Sequence, residues 1–313
     1  MSLEQNKKTV ICLMGPTASG KTPLAVELVQ QFPLEIISVD SAMVYRGMDI
    51  GTAKPDAETL KIAPHHLIDI CDPDEAYSAG KFRTDALRLI DEIHAKDKIP
   101  FLVGGTMLYF RALLQGIAAL PQADEGVREA LTQRAQAEGW ESLHATLAAI
   151  DPEAASRIHT NDAQRIQRAL EVFMLTGKPI SKLQEQDTSP ISGFNITQIV
   201  LMPSDRAKLH AKIAQRFQMM LDAGFIDEVG ELMTRGDLLP EMPSMRSVGY
   251  RQVWEYLTGK IDEKTMKEKA IAATRQLAKR QITWLRTWPK YHYIDIENSN
   301  ILNSARHIIS TNI

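Results

Sequence analysis

The sequence has few of the residues that mark disulfide-rich, zinc-binding or membrane-spanning proteins. It contains only two cysteines among 313 residues, Cys12 and Cys71, and neither belongs to a C-x-x-C pair. This spacing indicates neither a disulfide framework nor a zinc module. The first apolar run, residues 10–14, is too short for a signal-peptide core or a membrane span. We therefore expect a soluble, cytoplasmic protein without membrane association.

The chain also lacks a large excess of charge of either sign. Its 36 basic and 39 acidic residues give a formal net charge of −3, which argues against a uniformly basic coat for nucleic acid. A local basic patch is compatible with this total, because affinity depends on how charge is distributed. With 44% hydrophobic and 24% charged residues, the composition is that of an ordinary globular protein.

What the sequence does contain is a phosphate-binding loop. The segment GPTASGKT at residues 15–22 fits the pattern G-x-x-x-x-G-K-[ST]. An apolar run at residues 10–14 predicts a buried strand before it, and residues 24–31 predict a helix after it. Backbone N–H groups and the helix N-terminus of such a loop face an anion. The predicted phosphate-binding residues are Gly15, Pro16, Thr17, Ala18, Ser19, Gly20, Lys21 and Thr22.

The residue types in this loop suit phosphate chemistry. Gly15 and Gly20 permit backbone geometry that a Cβ would obstruct. Lys21 brings a positive charge to the phosphates, and Thr22 can reach a divalent metal. Pro23 follows directly and is tolerated only in the first turn of a helix, where we expect it. The pattern specifies neither the phosphate compound nor ATP hydrolysis.

Strands and helices alternate along the first third of the chain. Strands are predicted at residues 35–39 and 99–103, with a helix at 78–96 between them. This alternation predicts an α/β fold, with helices on both faces of a parallel sheet. Strand signals then vanish between residues 121 and 193, and return at 196–201 and 291–294. Seven further helices are predicted, at residues 125–138, 141–149, 162–175, 180–186, 206–223, 226–235 and 262–286. We therefore predict a core formed by residues 1–120 and 194–313, interrupted by a helical insertion at 121–193.

Two more polar segments follow predicted strand ends. Asp40 follows the second strand, and residues 104–106 follow the third. Because ligands in such folds bind beyond the carboxyl ends of the strands, we expect both segments to share one crevice with the phosphate loop. Asp40 suits a general base or a metal partner, and equally a residue that caps a turn. The third strand lacks the terminal acid with which many nucleotide triphosphatases hold magnesium, which argues against ATP hydrolysis unless Asp40 supplies that acid.

Three basic clusters lie further along, at residues 164–168, 246–251 and 279–286. Their Arg and Lys residues alternate with Gln, Tyr and Trp, which suits phosphate contacts and base stacking. A solvated helix face is the simpler interpretation of any one cluster. Three clusters in a slightly acidic chain indicate a polyanionic partner. Arg206 and Arg216 are further candidates for the phosphate crevice, although surface ion pairs would also explain them.

Together these segments resemble the bacterial tRNA dimethylallyltransferase family. The matching segments cover nearly the whole chain in order, and lie at residues 15–22, 40–45, 51–55, 64–69, 103–106, 164–168, 246–251 and 279–286. The resemblance implies an α/β fold with a P-loop NTPase-like parallel sheet and a helical insertion domain. It also implies transfer of a dimethylallyl group from dimethylallyl diphosphate to N6 of the adenine 3′ of the tRNA anticodon, with release of diphosphate.

The resemblance assigns roles to residues of this chain. Asp40 becomes the general base, and Thr106 lies beside the reacting centre. Lys21, Arg216 and a Mg²⁺ ion held by Thr22 stabilise the leaving diphosphate. The insertion grips the anticodon stem-loop, and the acceptor adenine flips out of its stack to reach the crevice. We expect the enzyme to be a monomer. The implied tRNA-binding residues are Asp40, Ser41, Ala42, Met43, Thr106, Arg128, Gln164, Arg165, Ile166, Gln167, Arg168, Arg246, Ser247, Val248, Gly249, Tyr250, Arg251, Lys279, Arg280, Gln281, Ile282, Thr283, Trp284, Leu285 and Arg286.

Three alternatives remain open from the sequence. A small-molecule kinase would use the loop for ATP, but the absent acidic strand end and the basic C-terminal helix argue against it. A non-catalytic RNA-binding switch would show nucleotide-dependent affinity for RNA and no covalent product. An adenylate isopentenyltransferase would perform the same chemistry on a free nucleotide, and would have no use for the insertion or the basic helix.

Overall fold

The computed structural model describes residues 8–118, 120–186 and 191–313. Residues 1–7 and 119 of the predicted core, and 187–190 of the predicted insertion, lie outside the described residues. The chain divides into two compact units, one formed by Met1–Phe110 and Ser192–Ile313 and the other by Arg111–Ile191. The sequence patterns placed these boundaries at residues 121 and 193. In the described part of the chain, no helix is both long and apolar enough to cross a membrane.

A parallel sheet of six strands forms the centre of the first unit. The strands are β1 Lys8–Met14, β2 Leu34–Val39, β3 His65–His66, β4 Ile99–Gly104, β5 Phe194–Met202 and β6 His292–Asp295. Their order in the sheet is β3-β2-β4-β1-β5-β6, and every pair is parallel. Residues 10–14 of β1 are fully buried, as expected of a central strand covered by helices on both faces. The predicted α/β fold with a parallel sheet is confirmed.

The other regular elements of both units are helices. Before residue 120 they are α1 Lys21–Val29, α2 Ala57–Ile62, α3 Ala79–His94 and α4 Met107–Leu114. After α4, the regular elements described in the second unit are the helices α5 Glu125–Glu138, α6 Trp140–Ile150, α7 Pro152–Arg157, α8 Ala163–Thr176 and α9 Ile180–Gln186. After β5 come α10 Arg206–Asp222, α11 Phe225–Thr234, α12 Tyr250–Leu257, α13 Glu263–Arg286 and, beyond β6, α14 Ile301–Asn312.

A second apolar core in the first unit holds α10 to α13 together. Phe225 is fully buried and makes edge-to-face contacts with Phe217, at 6.3 Å between ring centroids, and with Tyr250, at 5.0 Å. Tyr45 and Met48, from the segment after β2, belong to the same cluster. Packing of this kind anchors the segment after β2 to the C-terminal helices.

The second unit has its own apolar core and one buried carboxylate. Leu143, Ile166 and other aliphatic residues of α5 to α8 form the core. Glu171 is fully buried, and it accepts hydrogen bonds from Arg128 Nε at 2.8 Å and Arg168 at 2.6 Å. The Asp124 N–H donates a further bond at 2.9 Å. Burial alone would raise the pKa of Glu171, but these donors outweigh it and lower the pKa.

Candidate active site

The phosphate-binding loop connects β1 to α1 as the sequence predicted. Ala18 and Gly20 have positive φ angles of 61° and 84°, which bend the chain sharply before the helix. Within the described residues, no side chain caps the start of α1, so the N–H groups of its first turn are available to an anion. Pro23 is the third residue of α1 and lies in its first turn, which confirms its predicted place.

Lys21 places its ammonium group inside the loop. Its Nζ donates hydrogen bonds to Gly15 O at 2.9 Å and Pro16 O at 2.8 Å. Burial and the nearby Arg216 lower the pKa of Lys21 to about 7, although Asp40 acts in the opposite direction. Although Lys21 retains some exposed surface, the charged end of the side chain is the part enclosed by the loop. The amine of Lys21 is therefore already positioned inside the loop.

Asp40 lies at the carboxyl end of β2, where its carboxylate closes a short turn. Its Oδ1 accepts the N–H groups of Ala42 at 2.8 Å and Met43 at 3.2 Å. Its Oδ2 has no hydrogen-bonding partner among the described residues. The turn-capping interpretation is therefore correct for one oxygen, while the second oxygen is available for other chemistry.

Thr106 follows β4 and ties that strand end to the end of β2. Its backbone N–H donates to Val39 O at 3.1 Å, and its Oγ1 accepts the Ser41 N–H at 3.1 Å. The approach of the two strand ends requires a glycine, because a Cβ on Gly104 would lie 2.1 Å from Val39 O. The resulting contact fixes Thr106 beside the Asp40 turn.

Arg216 enters the site from α10. Its guanidinium donates to Thr52 O at 3.3 Å. Burial lowers the pKa of Arg216, and the charge of Asp40 opposes this effect. Arg206 lies at the exposed N-terminal end of the same helix and is not among the described residues that line the cleft. Of the two arginines that the sequence offered, the structure places Arg216 at the site.

These groups line a single cleft of about 600 Å³ within the first unit. Lys21 and Thr22 from the phosphate loop, Asp40 after β2, Thr106 after β4 and Arg216 from α10 all contribute to its wall. The prediction that the three strand ends share one crevice is confirmed. The cleft therefore has a cationic phosphate site at one end and a carboxylate with a hydroxyl neighbour beside it.

The two basic clusters of the first unit contribute unequally to this cleft. From residues 246–251, all but Arg251 line it, yet Tyr250 is fully buried and donates its hydroxyl to Glu228 at 2.6 Å. From residues 279–286, Arg280, Gln281 and Trp284 line it. In the same segment Ile282 and Leu285 are buried, whereas Lys279, Thr283 and Arg286 are exposed.

The cluster on the insertion mixes exposed and buried residues. Gln164 and Arg165 are exposed on α8, whereas Ile166 is fully buried in the core of the second unit. Gln167 donates to Arg128 O at 3.0 Å, and Arg168 is bound to Glu171. The arginines at this cluster are therefore partly neutralised, because Arg165 pairs with Asp162 at 3.4 Å and Arg128 and Arg168 are held by Glu171.

A supporting contact that sequence reasoning missed is made by Glu228 of α11. Its carboxylate accepts the N–H groups of Asp49 at 2.9 Å, Ile50 at 2.6 Å and Gly51 at 3.1 Å, in addition to the Tyr250 hydroxyl. This cluster fixes the segment whose Thr52 carbonyl accepts the bond from Arg216. Nothing local in the sequence marks Glu228, because its partners lie more than twenty residues away.

The adjacent histidines make separate hydrogen bonds. His65 Nδ1 lies 2.7 Å from Ala63 O, and His66 Nε2 lies 2.6 Å from Glu35 Oε1. Within the described residues, no three His, Cys, Asp or Glu side chains come together as metal ligands. At the phosphate loop, the group that suits Mg²⁺ is the Thr22 hydroxyl, which lies in the cleft wall. Because Mg²⁺ binds few protein oxygens and completes its shell with phosphate and water, this donor fits a metal that accompanies a phosphorylated ligand.

The fold and the site define an α/β protein of the P-loop NTPase-like class with a phosphate cleft at the carboxyl edge of a parallel sheet. The sequence profile described as IPP transferase matches residues 43–288. The tRNA dimethylallyltransferase of Paraburkholderia phytofirmans is 60% identical over 291 residues, which cover 91% of this chain and 92% of that protein. The chain belongs to the IPP transferase family.

Solved structures agree with this assignment. The tRNA isopentenylpyrophosphate transferase of Bacillus halodurans is similar with a TM-score of 0.70 and 36% identity, over 98% of both chains. A eukaryotic dimethylallyltransferase acting on tRNA is similar with a TM-score of 0.81 and 26% identity, over 98% of this chain and 80% of that chain. The predicted family and fold class are both confirmed.

Proposed function

We propose that this protein is a prenyltransferase that moves a dimethylallyl group from dimethylallyl diphosphate to N6 of the adenine 3′ of the tRNA anticodon, with release of diphosphate. The observation that carries the proposal is that Lys21, Arg216 and Asp40 share one cleft. This arrangement supports a reaction in which diphosphate leaves beside a group that can accept a proton. Family membership supports the same reaction, since a relative named tRNA dimethylallyltransferase is 60% identical.

The chemistry follows from the two reactants. An adenine amine is a poor nucleophile, whereas an allylic carbon is a good electrophile once its diphosphate is neutralised. The N6–C bond forms as the C–O bond to diphosphate breaks, and the amine proton passes to Asp40. Lys21 and Arg216 stabilise the charge that grows on the departing diphosphate. Thr106 lies beside Asp40 and helps to place the acceptor base, so most of the rate enhancement comes from position and charge.

A magnesium ion fits the phosphate end of this cleft. Bound there, it would neutralise part of the diphosphate charge, with Thr22 as its protein ligand. The protein contributes the remaining positive charge through Lys21 and Arg216. We propose that the enzyme acts as a monomer, since a single chain supplies the groups of the cleft. We place it in the cytoplasm, in keeping with the free cysteines Cys12 and Cys71.

We propose that tRNA contacts the first unit along α13 and residues 246–251, and contacts the insertion through α8. Lys279 and Arg280 are exposed on α13, and Arg280 also lines the cleft. These cations suit backbone phosphates, while the acceptor adenine leaves its stack to enter the cleft. On the insertion, Arg165 is exposed, and Arg128 and Arg168 lie on either side of the buried Glu171 carboxylate.

The direct test is mass spectrometry of nucleosides from tRNA incubated with the protein, Mg²⁺ and dimethylallyl diphosphate. We expect one adenosine beside the anticodon to gain a single isopentenyl unit, and free adenylate to remain unmodified in the same mixture. Phosphoryl transfer from ATP to metabolites, without any prenylated product, would instead establish a kinase. Prenylation of adenylate alone would identify the free nucleotide as the substrate.

Replacing Lys279 and Arg280 together by alanine is expected to weaken tRNA binding and to flatten its salt dependence. Two lost phosphate contacts reduce the slope of log Kd against log salt by about two at most. The matched control replaces Lys264 and Lys267 by alanine. This change removes the same amount of charge from the first turns of α13, where the lysines have acidic neighbours. Filter binding across a salt series measures both variants. Wild-type affinity and slope in the first variant would show that α13 does not contact RNA.

At pH values above about 7, we expect the protein to take up protons when the donor binds. Burial and Arg216 lower the pKa of Lys21 to about 7 in the free protein, so the ammonium is largely neutral at higher pH. Diphosphate stabilises the charged form and raises this pKa on binding. Donor affinity therefore falls as the pH rises above that value.

Isothermal titration in buffers of different ionisation enthalpy, one pH unit above the Lys21 pKa, measures this proton uptake. The Lys21→Arg variant keeps its charge at this pH, so it reports only the titration of the donor and the other groups. We expect a smaller uptake in the variant than in the wild type. Equal uptake in both proteins would mean that Lys21 is already charged before the donor binds.

A further inference from the structure

Gln281 of α13 bridges two loops of the cleft through both ends of its amide. Its Oε1 accepts the Thr17 N–H of the phosphate loop at 2.8 Å. Its Nε2 donates to Gly105 O, in the loop after β4, at 3.0 Å. One neutral side chain on α13 therefore connects the phosphate site to the segment that carries Thr106.

The amide packs closely against the backbone of Gly105. A Cβ on Gly105 would lie 2.6 Å from Gln281 Nε2 and 3.1 Å from Gly15 O. A side chain at position 105 would therefore displace either the amide or the phosphate loop. The three segments meet in direct contact, so a shift of any one of them is transmitted to the others.

The rest of α13 joins the RNA-facing surface to the cleft. Thr274, Leu277, Gln281 and Trp284 line the cleft, at the spacing of a single helix face. Ile282 and Leu285 anchor another face in the core, while Lys279 and Arg280 are exposed to solvent. The helix thus touches the proposed RNA-binding surface and the phosphate loop at the same time.

The chemistry of the amide explains why glutamine suits this position. One contact needs an acceptor and the other needs a donor, and a primary amide supplies both without charge. A carboxylate would keep the acceptor for Thr17 but face the Gly105 carbonyl without a proton. An aliphatic side chain would lose both bonds and leave the two loops unconnected to the helix.

We propose that Gln281 is a positioning residue that couples tRNA binding on α13 to donor binding in the phosphate loop. This inference rests on the proposed function. RNA held by Lys279 and Arg280 stabilises the position of α13, and Gln281 transmits that position to Thr17 and Gly105. The donor site is then better formed when tRNA is bound, and by linkage the donor strengthens tRNA binding to the same degree.

The test measures this coupling directly. The affinity for dimethylallyl thiodiphosphate, an unreactive donor analogue, is determined by titration with Mg²⁺, with and without an anticodon stem-loop RNA. We expect the RNA to tighten analogue binding about fivefold or more in the wild type. In Gln281→Ala the factor should fall below about twofold, which is smaller than the usual range of such couplings. Gln276→Ala, an exposed glutamine on the same helix, should behave as the wild type.

Gln281→Glu is the second variant and keeps one of the two bonds. We expect it to lose the coupling while its thermal unfolding temperature stays close to that of the wild type. A merely structural role would instead lower the unfolding temperature, or weaken RNA binding in the absence of donor. In steady-state assays with saturating tRNA, we expect Gln281→Glu to raise the KM for the donor by a larger factor than it lowers kcat.

The outcomes separate this inference from the proposed function. Full coupling in a folded Gln281→Ala protein would overturn the inference, as would the absence of coupling in the wild type. Neither result affects the reaction if the wild type still prenylates tRNA in a parallel assay with the true donor. Failure of the wild type to form that product would overturn the proposed function instead.

Discussion

Asp40→Asn is expected to reduce turnover by about a hundredfold or more, the usual effect of removing a general base. Asparagine has the same shape, and its side-chain oxygen can still accept the N–H groups of Ala42 and Met43 that Asp40 binds. The turn after β2 is therefore retained, while the group that accepts the adenine proton becomes a neutral amide. Donor and tRNA affinities should remain close to those of the wild type.

Single-turnover kinetics with bound tRNA measure this effect without interference from product release. The matched control is Asp56→Asn, at the exposed N-cap of α2, where asparagine caps as well as aspartate. We expect wild-type turnover from the control. Wild-type turnover from Asp40→Asn would remove this residue as the base and leave it only its role in the turn.

Lys21→Met is expected to lower kcat/KM for the donor by about a hundredfold to a thousandfold, the range found when one stabilising donor is removed from a transition state. Methionine keeps the length of the side chain but lacks the charge that offsets the departing diphosphate. Gly15 O and Pro16 O also lose their hydrogen bonds from Nζ. The effect should appear in kcat as well as in KM, because charge on the diphosphate grows in the transition state.

The control for this variant is Lys61→Met, since Lys61 is an exposed lysine of α2 paired with Glu58. Circular dichroism and thermal unfolding show whether the phosphate loop variant remains folded. A kcat/KM within about threefold of wild type in folded Lys21→Met would mean that Arg216 and the metal carry the whole charge stabilisation. The Arg216→Ala variant would then show the larger loss.

Much of the fold was predictable because its elements have strong local patterns. Strands β1, β2, β4, β5 and β6 lie where the sequence patterns predict them, and α5 has the predicted bounds of Glu125–Glu138. Elements that were not predicted are short or weakly patterned. They are β3 His65–His66, α2 Ala57–Ile62, α4 Met107–Leu114, α7 Pro152–Arg157, α12 Tyr250–Leu257 and α14 Ile301–Asn312. In such segments, packing against distant elements decides the conformation more than local propensity does.

The site was predictable where its chemistry is local. The phosphate loop and the residues after β2 and β4 could be placed in one crevice because parallel strands bring their carboxyl ends to the same edge. Tyr250 shows the limit of this reasoning. Its aromatic ring in a basic segment indicated base stacking, yet the ring is fully buried and its hydroxyl donates to Glu228.

The sequence by itself determined the class of fold and the place of the phosphate site, because both depend on short patterns of apolar residues and glycines. Tertiary structure decided which arginine reaches the cleft and that Gln281 bridges two of its loops. Those contacts join residues 164, 264 and 176 positions apart. No local pattern can specify them, because they form only when distant helices pack beside the sheet.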